Sequence, residues 1–300
     1  MSKKALIIGG SGFIGSYVCD ELFNQGYEVH IADLNKSSFS KSKYYFHYLD
    51  ILKIDQIDQI MKSHHFVVVY NFAGFAQVGI SHNFAKTTLE LNIMGNLNIL
   101  DSIVKFKQGL YIYASSAYAA SDKGSFYGIS KYTSEKVIAE YNKLHNLNFV
   151  IIRYGSLYGE RAKQDNGIYR LLEAAITNNL IQHSGTGEET REYIHALDAA
   201  KLSVDVVDKK HLHNEHLILT GVERFKYKDL LAMIQEIFDY KIDIEYLDQE
   251  IKGHYKVTPY TYRPTTAKKL VANPFIDLGQ GIVDCIYHME KVLKDKKNPL

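Results

Sequence analysis

The chain has no excess of either charge, almost no cysteine and no long apolar run, and each shortage removes a class of function. Across 300 residues, 35 Lys and Arg stand against 34 Asp and Glu, a net charge of +1 with no long run of one sign. That balance gives no reason to expect a nucleic-acid or membrane-surface partner and points to small molecules or further copies of the chain. Cys19 and Cys285 are the only cysteines. Each falls within a helical pattern, so two buried free thiols are expected rather than a disulfide. The opening MSKKALIIGG is too poor in apolar residues for a secretory leader, and no later stretch approaches a membrane span, so a cytoplasmic protein is expected. No linker rich in Pro, Gly and Ser divides the sequence, which implies one compact unit with a cleft between two lobes.

What the chain does contain is a rhythm. ALIIGG, YEVHIAD, FVVVYNFAG, GLYIYASS and NFVIIRYG are short runs rich in β-branched and aromatic residues, each closed by Gly, Ser, Asn or Asp. Between them apolar residues step by three and four, as at Ile14, Tyr17, Val18 and Leu22. Strands alternating with helices predict an α/β protein with a parallel sheet covered on both faces. Beyond about Gly159 the rhythm loosens: GIYRLLEAAITNNLI and KYKDLLAMIQEIFDY have a helical period, while HLILTG and IDIEYL are strand candidates.

Gly9, Gly12 and Gly15 lie where the first strand turns into the first helix. In such a turn the first glycine permits the tight bend, the second lets the backbone approach a pyrophosphate, and the third allows helix and strand to pack closely. The helix N-terminus then offers free N–H groups and the positive end of its dipole to the phosphates. Asp33 ends the second predicted strand, 24 residues after Gly9, placed to take the ribose hydroxyls of an adenosine. A carboxylate there would repel a 2′-phosphate and no arginine follows, so NAD is favoured over NADP, with Lys36 the one nearby cation. Asp50 has two readings, a cap on the adenine edge or a helix N-cap before ILKIDQI.

The fourth predicted strand ends in Ser115-Ser116, and eleven residues after Ser116 comes YGISK, with Tyr127 and Lys131 four apart. On a helix that spacing places phenol and ammonium on one face. The ammonium favours the phenolate, which suits the tyrosine to act as a base near neutral pH, with Ser116 holding the reacting oxygen.

These signals, with NFAGFAQV (71–78), NIMGNLNIL (92–100), RYGSLYGER (153–161) and REYIHALDAA (191–200), resemble the extended short-chain dehydrogenase/reductases, and among them the nucleotide-sugar epimerases and dehydratases. The resemblance implies a Rossmann-type doubly wound sheet over residues 1–160, with segments near 190–221 returning to it, and a smaller mixed α/β substrate lobe over 161–300. By the same resemblance Ser116, Tyr127 and Lys131 are catalytic. The cofactor contacts extend to Phe13, Ile14, Ile51, Phe72, Ala73, Gly74, Asn92 and Tyr154, beside Tyr127 and Lys131. Arg191 and Arg263 fall where that group has arginines near the sugar-nucleotide phosphates, and a guanidinium suits a phosphate. Ser156 stands where a phosphate-binding Asn is usual. Members often pair the helices of NIMGNLNIL and YGISKYTSEKVIAEY into a four-helix bundle. These helices carry apolar residues on more than one face, as with Ile129, Tyr132, Val137, Ile138 and Tyr141, and a homodimer is expected.

The reaction implied is epimerisation, with transient hydride transfer to NAD and a keto sugar between. Dehydratases carry Asp-Glu after the catalytic hydroxyl and decarboxylases an acid two residues on, whereas Ala117 and Tyr118 follow Ser116. A reductase or dehydrogenase of a keto sugar would use the same residues and is the alternative. A non-enzymatic NAD sensor would be expected to lose Tyr127 or Lys131. The short path from Ser116 to Tyr127 implies a reduced or altered lid over the sugar. Tyr255, Tyr260 and Tyr262 around Arg263 suggest base or sugar contacts. The crowded histidines of HLHNEH (211–216) lack a carboxylate or thiol set and read as a solvated turn, so no metal is expected. His195 is expected to position Arg191 and the following helix, and Asp198 to mark that helix's start.

Overall fold

The computed structural model describes residues 3–247, 256 and 267–297. In chain order come β1 (Lys4–Ile8), α1 (Phe13–Asn24), β2 (Glu28–Asp33), β3 (Tyr45–Tyr48), α2 (Ile54–Ser63), β4 (Val68–Asn71), α3 (Ala85–Leu89), α4 (Gly95–Lys105), β5 (Leu110–Ser116), α5 (Ser125–His145) and β6 (Phe149–Tyr154). Then follow β7 (Ser156–Tyr158), α6 (Gly167–Asn178), β8 (Leu180–Ser184), β9 (Thr190–Arg191), β10 (Tyr193–His195), α7 (Ala196–Asp205), β11 (Glu215–Leu219), β12 (Phe225–Lys226), α8 (Tyr227–Ile237), β13 (Asp243–Leu247), β14 (Lys268–Leu270) and α9 (Leu278–Lys297).

Eight strands form one parallel sheet in the order β14-β11-β6-β5-β4-β1-β2-β3. Alternation along β1 shows why it is buried on both faces. Ala5 and Ile7 point into a core with Val18 and Leu22 of α1 and Ala199 and Val204 of α7. Leu6 and Ile8 point into another with Ile57 of α2, Ile99 and Ile103 of α4 and Ile138 of α5. The five strands expected from apolar runs all lie in this sheet, and HLILTG joins it as β11.

A separate core packs α6, α8 and α9 through Leu172, Leu230, Leu231, Ile234 and Ile282. The loop after β7 is tied to α1 by two polar contacts. The Tyr17 hydroxyl donates to Glu160 (2.5 Å) and Arg161 to Asp20 (2.5 Å). Desolvation pushes the Asp20 carboxyl up, but hydrogen bonds from Tyr44, Arg161 and Lys41 outweigh it and hold the group below the usual carboxylate range.

One of the two readings of Asp50 falls. The helix after Asp50 begins only at Ile54, with Lys53 at its N-cap, so Asp50 does not cap it; its carboxylate accepts the Leu52 N–H (2.9 Å) in a local turn. Ile138 is fully buried, and Val137 and Tyr141 are partly buried against the same core. Ile129 and Tyr132 do stay exposed. Both cysteines are free and buried, as expected, and burial pushes the Cys285 thiol up to about 12. No described helix is long and apolar enough to cross a membrane.

Candidate active site

Around β1 the strand order reverses direction, with β2 and β3 on one side and β4, β5 and β6 on the other. A crevice at the carboxyl ends of strands opens at such a reversal. The glycine turn after β1, Asp33 at the end of β2, Phe72–Gly74 after β4 and Ser116 at the end of β5 all lie along that edge.

The three glycines of the turn are there for different reasons. Gly9 has φ +80°, and a Cβ there would lie 2.5 Å from the Ala73 nitrogen and 2.7 Å from the Phe72 carbonyl carbon, backbone atoms that cannot swing aside. At Gly15 a Cβ would collide with the Gly9 carbonyl oxygen, so the third glycine is what lets α1 sit against the strand end. Gly12 is less tightly constrained: its φ is −77°, and a Cβ there would lie 3.2 Å from the Gly9 oxygen, which would have to give by a few tenths of an ångström. Two observations suit this turn to a dinucleotide. No side chain caps α1, which leaves the first-turn N–H groups of Phe13 and Ile14 for an anion, and the Ser11 hydroxyl is buried without a hydrogen-bond partner. Asp33 lies against the loop, accepting the Ser11 N–H (3.1 Å) and the Asn35 N–H (3.3 Å), while Lys36 is exposed.

On the other side of β1, Gly74 has φ +145°, and a Cβ there would strike the Asn92 side-chain oxygen. Asn92 sits in a π-helical turn, Glu90–Met94, between α3 and α4. Its oxygen accepts the Phe75 N–H (2.7 Å) and its amide donates to the Phe75 carbonyl (3.0 Å) and Ser130 Oγ (2.8 Å). Asn92 thus clamps the loop after β4 onto α5. Ala73 donates its N–H to Asn71, and the Phe72 ring stacks on Tyr70. Ile51 packs its side chain against Gly95, and its carbonyl accepts from Asn98 (3.0 Å). Tyr154 turns inward, its hydroxyl bonded to Ser203 (2.7 Å), so that side chain is spent within the core.

Tyr127 and Lys131 lie one turn apart on α5, and Ser116 ends β5, the strand to which Lys131 is hydrogen-bonded. The chain leaves β5 in a single 3₁₀ turn, Ala117–Ala120, passes Gly124 at φ +91° and Ser125 at φ +50°, and enters α5 two residues before Tyr127. Gly124 must lack a side chain because a Cβ would lie 2.6 Å from the Tyr118 ring. Tyr118 meets Tyr127 edge to face with centroids 6.2 Å apart. Ser116 Oγ accepts the Tyr118 N–H (3.3 Å). One turn along α5 from Tyr127, the Lys131 ammonium lies 5.8 Å from the Tyr127 ring and donates to the Ala114 carbonyl of β5 (2.8 Å). Burial pushes the Lys131 pKa down to about 8, against the pull of Glu135.

A buried network supports these three side chains. The Glu135 carboxylate accepts the Ser115 hydroxyl (2.6 Å) and two Arg153 donors (2.9 and 2.6 Å), joining α5, β5 and β6. Sequence reasoning passed over it, although an arginine inside the buried run FVIIRY and an acid four residues after Lys131 were both signals.

On the expected substrate side, Ser156 lies in β7, paired with Tyr193 of β10, and the half-buried Arg191 lies in β9 opposite Phe225. Arg191 donates to the Thr190 carbonyl (2.9 Å) and toward the Lys256 carbonyl (3.5 Å). Arg263, Tyr255, Tyr260 and Tyr262 lie outside the described residues. His195 caps α7 by accepting the Leu197 N–H (3.3 Å). Asp198, in the first turn of α7, accepts the Ile276 N–H (2.7 Å) and so ties down the chain before α9. Among the residues of HLHNEH, His213 meets the Val207 carbonyl and His216 lies 3.6 Å from Glu135, and they form no metal-type cluster.

Comparison with known proteins agrees with this geometry. A protein of Methanocaldococcus jannaschii provisionally named UDP-glucose 4-epimerase is 27% identical, the match covering 92% of this chain and 95% of that one. The UDP-glucose 4-epimerase of Thermotoga maritima, solved with UDP-glucose, superposes with a TM-score of 0.83 at 21% identity, over 97% of this chain and 99% of that one. The UDP-glucuronic acid 4-epimerase of Bacillus cereus, solved with UDP-glucuronic acid and NAD, gives 0.83 at 22% identity, over 96% and 99%. Residues 5–219, from β1 to the end of β11, match the model of the NAD dependent epimerase/dehydratase family, and the chain belongs to that family.

Proposed function

We propose that this protein is an NAD-dependent 4-epimerase of a UDP-activated sugar. The carrying observation is the pairing of Tyr127 with Lys131 on α5, which is hydrogen-bonded to the strand that ends in Ser116, where the linking turn Ala117–Ala120 brings no carboxylate. An acid is what elimination or decarboxylation would call for there. The names of the relatives, UDP-glucose and UDP-glucuronate 4-epimerases, support the nucleotide and the position on the sugar.

Gly12, the N-terminus of α1 and Asp33 would hold NAD, which when bound supplies a reversible hydride acceptor. Tyr127 removes the proton from the sugar hydroxyl and later returns it. Lys131 favours the phenolate through its charge, and Ser116 holds the reacting oxygen. Arg191 and Ser156 take the diphosphate, beside a substrate lobe made by residues 161–300. We further propose a homodimer through α4 and α5, supported by Met94, Ile129 and Tyr132, which are about half exposed at 49%, 56% and 48%. Sedimentation tests that assembly, and a monomeric mass overturns it.

The deciding experiment is to denature freshly purified protein, identify any released nucleotide, and then offer UDP-sugars. About one NAD per chain, with interconversion of C4 epimers and no net change in absorbance, is expected. An empty site that exchanges NADH or NADPH and consumes it on a keto sugar would replace the proposal with a reductase.

A further inference from the structure

At the sheet edge, three strands from β5, the fold brings together residues that the sequence holds far apart. In the parallel ladder of β2 and β3, His30 is paired with Tyr45 and Ala32 with His47, so the two-residue period puts His30 and His47 on one face. His64, immediately after α2, closes over them. His30 Nδ1 lies 2.9 Å from His47 Nε2, and the His64 ring centroid is 4.6 Å from that of His30. One nitrogen from each ring falls within 4.8 Å of the others.

We propose that His30, His47 and His64 form a binding site for a divalent transition-metal ion of the zinc class, bound by three imidazoles with the fourth position open. The second ring nitrogen of His30 supports this. His30 Nε2 faces Glu28 Oε1 at 2.9 Å, and Glu28 is itself held by Lys4 at 3.0 Å. A carboxylate on the far nitrogen of an imidazole fixes the tautomer that leaves Nδ1 as a lone pair, an arrangement typical of metal-bound histidine. Tetrahedral zinc at its usual bond length needs nitrogens about 3.4 Å apart. His30 and His47 therefore open slightly, and His64, half-buried at a helix end, swings inward.

Beside His47 and His64 lies a cleft of about 240 Å³, lined also by Tyr48, Gln56, Gln59 and Ser63, with room for water. Imidazole-only sites suit Zn²⁺, Cu²⁺ and Ni²⁺ better than Mg²⁺ or Ca²⁺. A bound ion ties the edge strand β3 to the end of α2.

The test uses untagged, full-length protein freed of metal by a chelator and titrated calorimetrically with Zn²⁺. Co²⁺ is added separately, because its visible absorption reports tetrahedral coordination. One Zn²⁺ per chain and an intense Co²⁺ band are expected. His64→Ala and His47→Gln should each weaken binding beyond the roughly 100-fold that loss of an orienting carboxylate can cost, and Glu28→Gln by roughly 10- to 100-fold. His211→Ala, in the exposed histidine-rich turn, should change nothing. Far-UV circular dichroism verifies that each variant is folded, and wild-type binding is read without any substitution. Absence of saturable binding to the wild type, or undiminished binding in both histidine variants, overturns the proposal.

Discussion

The two sides of the crevice are built on opposite plans. On the cofactor side, the turn after β1 works by what it lacks: Gly9 and Gly15 are bare because backbone already occupies the space a Cβ would need. On the other side, α5 works by what it adds: Lys131 is held by the Ala114 carbonyl, and Glu135, one turn further on, by Ser115 and Arg153. The first side should fail when an atom is added and the second when one is removed.

The largest effect expected is from Tyr127→Phe, which deletes one oxygen. Turnover should fall by about 10²- to 10⁴-fold while the urea midpoint and NAD affinity stay near wild type. Retained turnover would mean the base is elsewhere. Glu135→Ala comes next, since it strands the Arg153 guanidinium, only 7% exposed. Breaking a buried pair in this way costs about 3–5 kcal/mol, readable by chemical denaturation. The converse experiment adds a methyl. Gly9→Ala should cost about 1–3 kcal/mol through its positive φ and backbone crowding. Gly12→Ala should cost less than about 1 kcal/mol yet lose NAD affinity, which calorimetry separates from folding. If both glycine variants lost stability alike, the distinction drawn between them would collapse.

The smallest effect concerns pH. Because Lys131 is pushed down to about 8, its charge is present below that pH and disappears above it. The free-enzyme kcat/KM should accordingly decline as pH rises through about 8. Lys131→Arg, whose guanidinium keeps its proton, should lack that decline whatever its absolute rate.

The same contrast explains what could be read from the sequence. A glycine turn is a local pattern, three residues within seven, and the buried strands announce themselves as apolar runs. Tyr127 and Lys131 are likewise one turn of one helix. The strand YFHY (β3) escaped because an edge strand that is exposed or half-buried along its length carries no apolar run. Two- and three-residue strands such as β7, β9 and β12 are too short to have a period. Asn92 escaped as a clamp because the π-helical turn that aims it leaves no compositional mark. His30, His47 and His64 become neighbours only once β2, β3 and α2 are packed, so the crowded histidines at 211–216 drew attention in their place.

The Glu135 carboxylate has one more consequence, for descent rather than for chemistry. It is shared by Ser115, Arg153 and the helix that carries Tyr127, and its pairing with Arg153 is buried, so neither charge of that pair can be lost alone without leaving the other without its partner carboxylate or guanidinium. Positions 135 and 153 should therefore pass from ancestor to descendant as a pair, kept together or replaced together. Gly9 and Gly15 face only backbone, and each is held in place one position at a time.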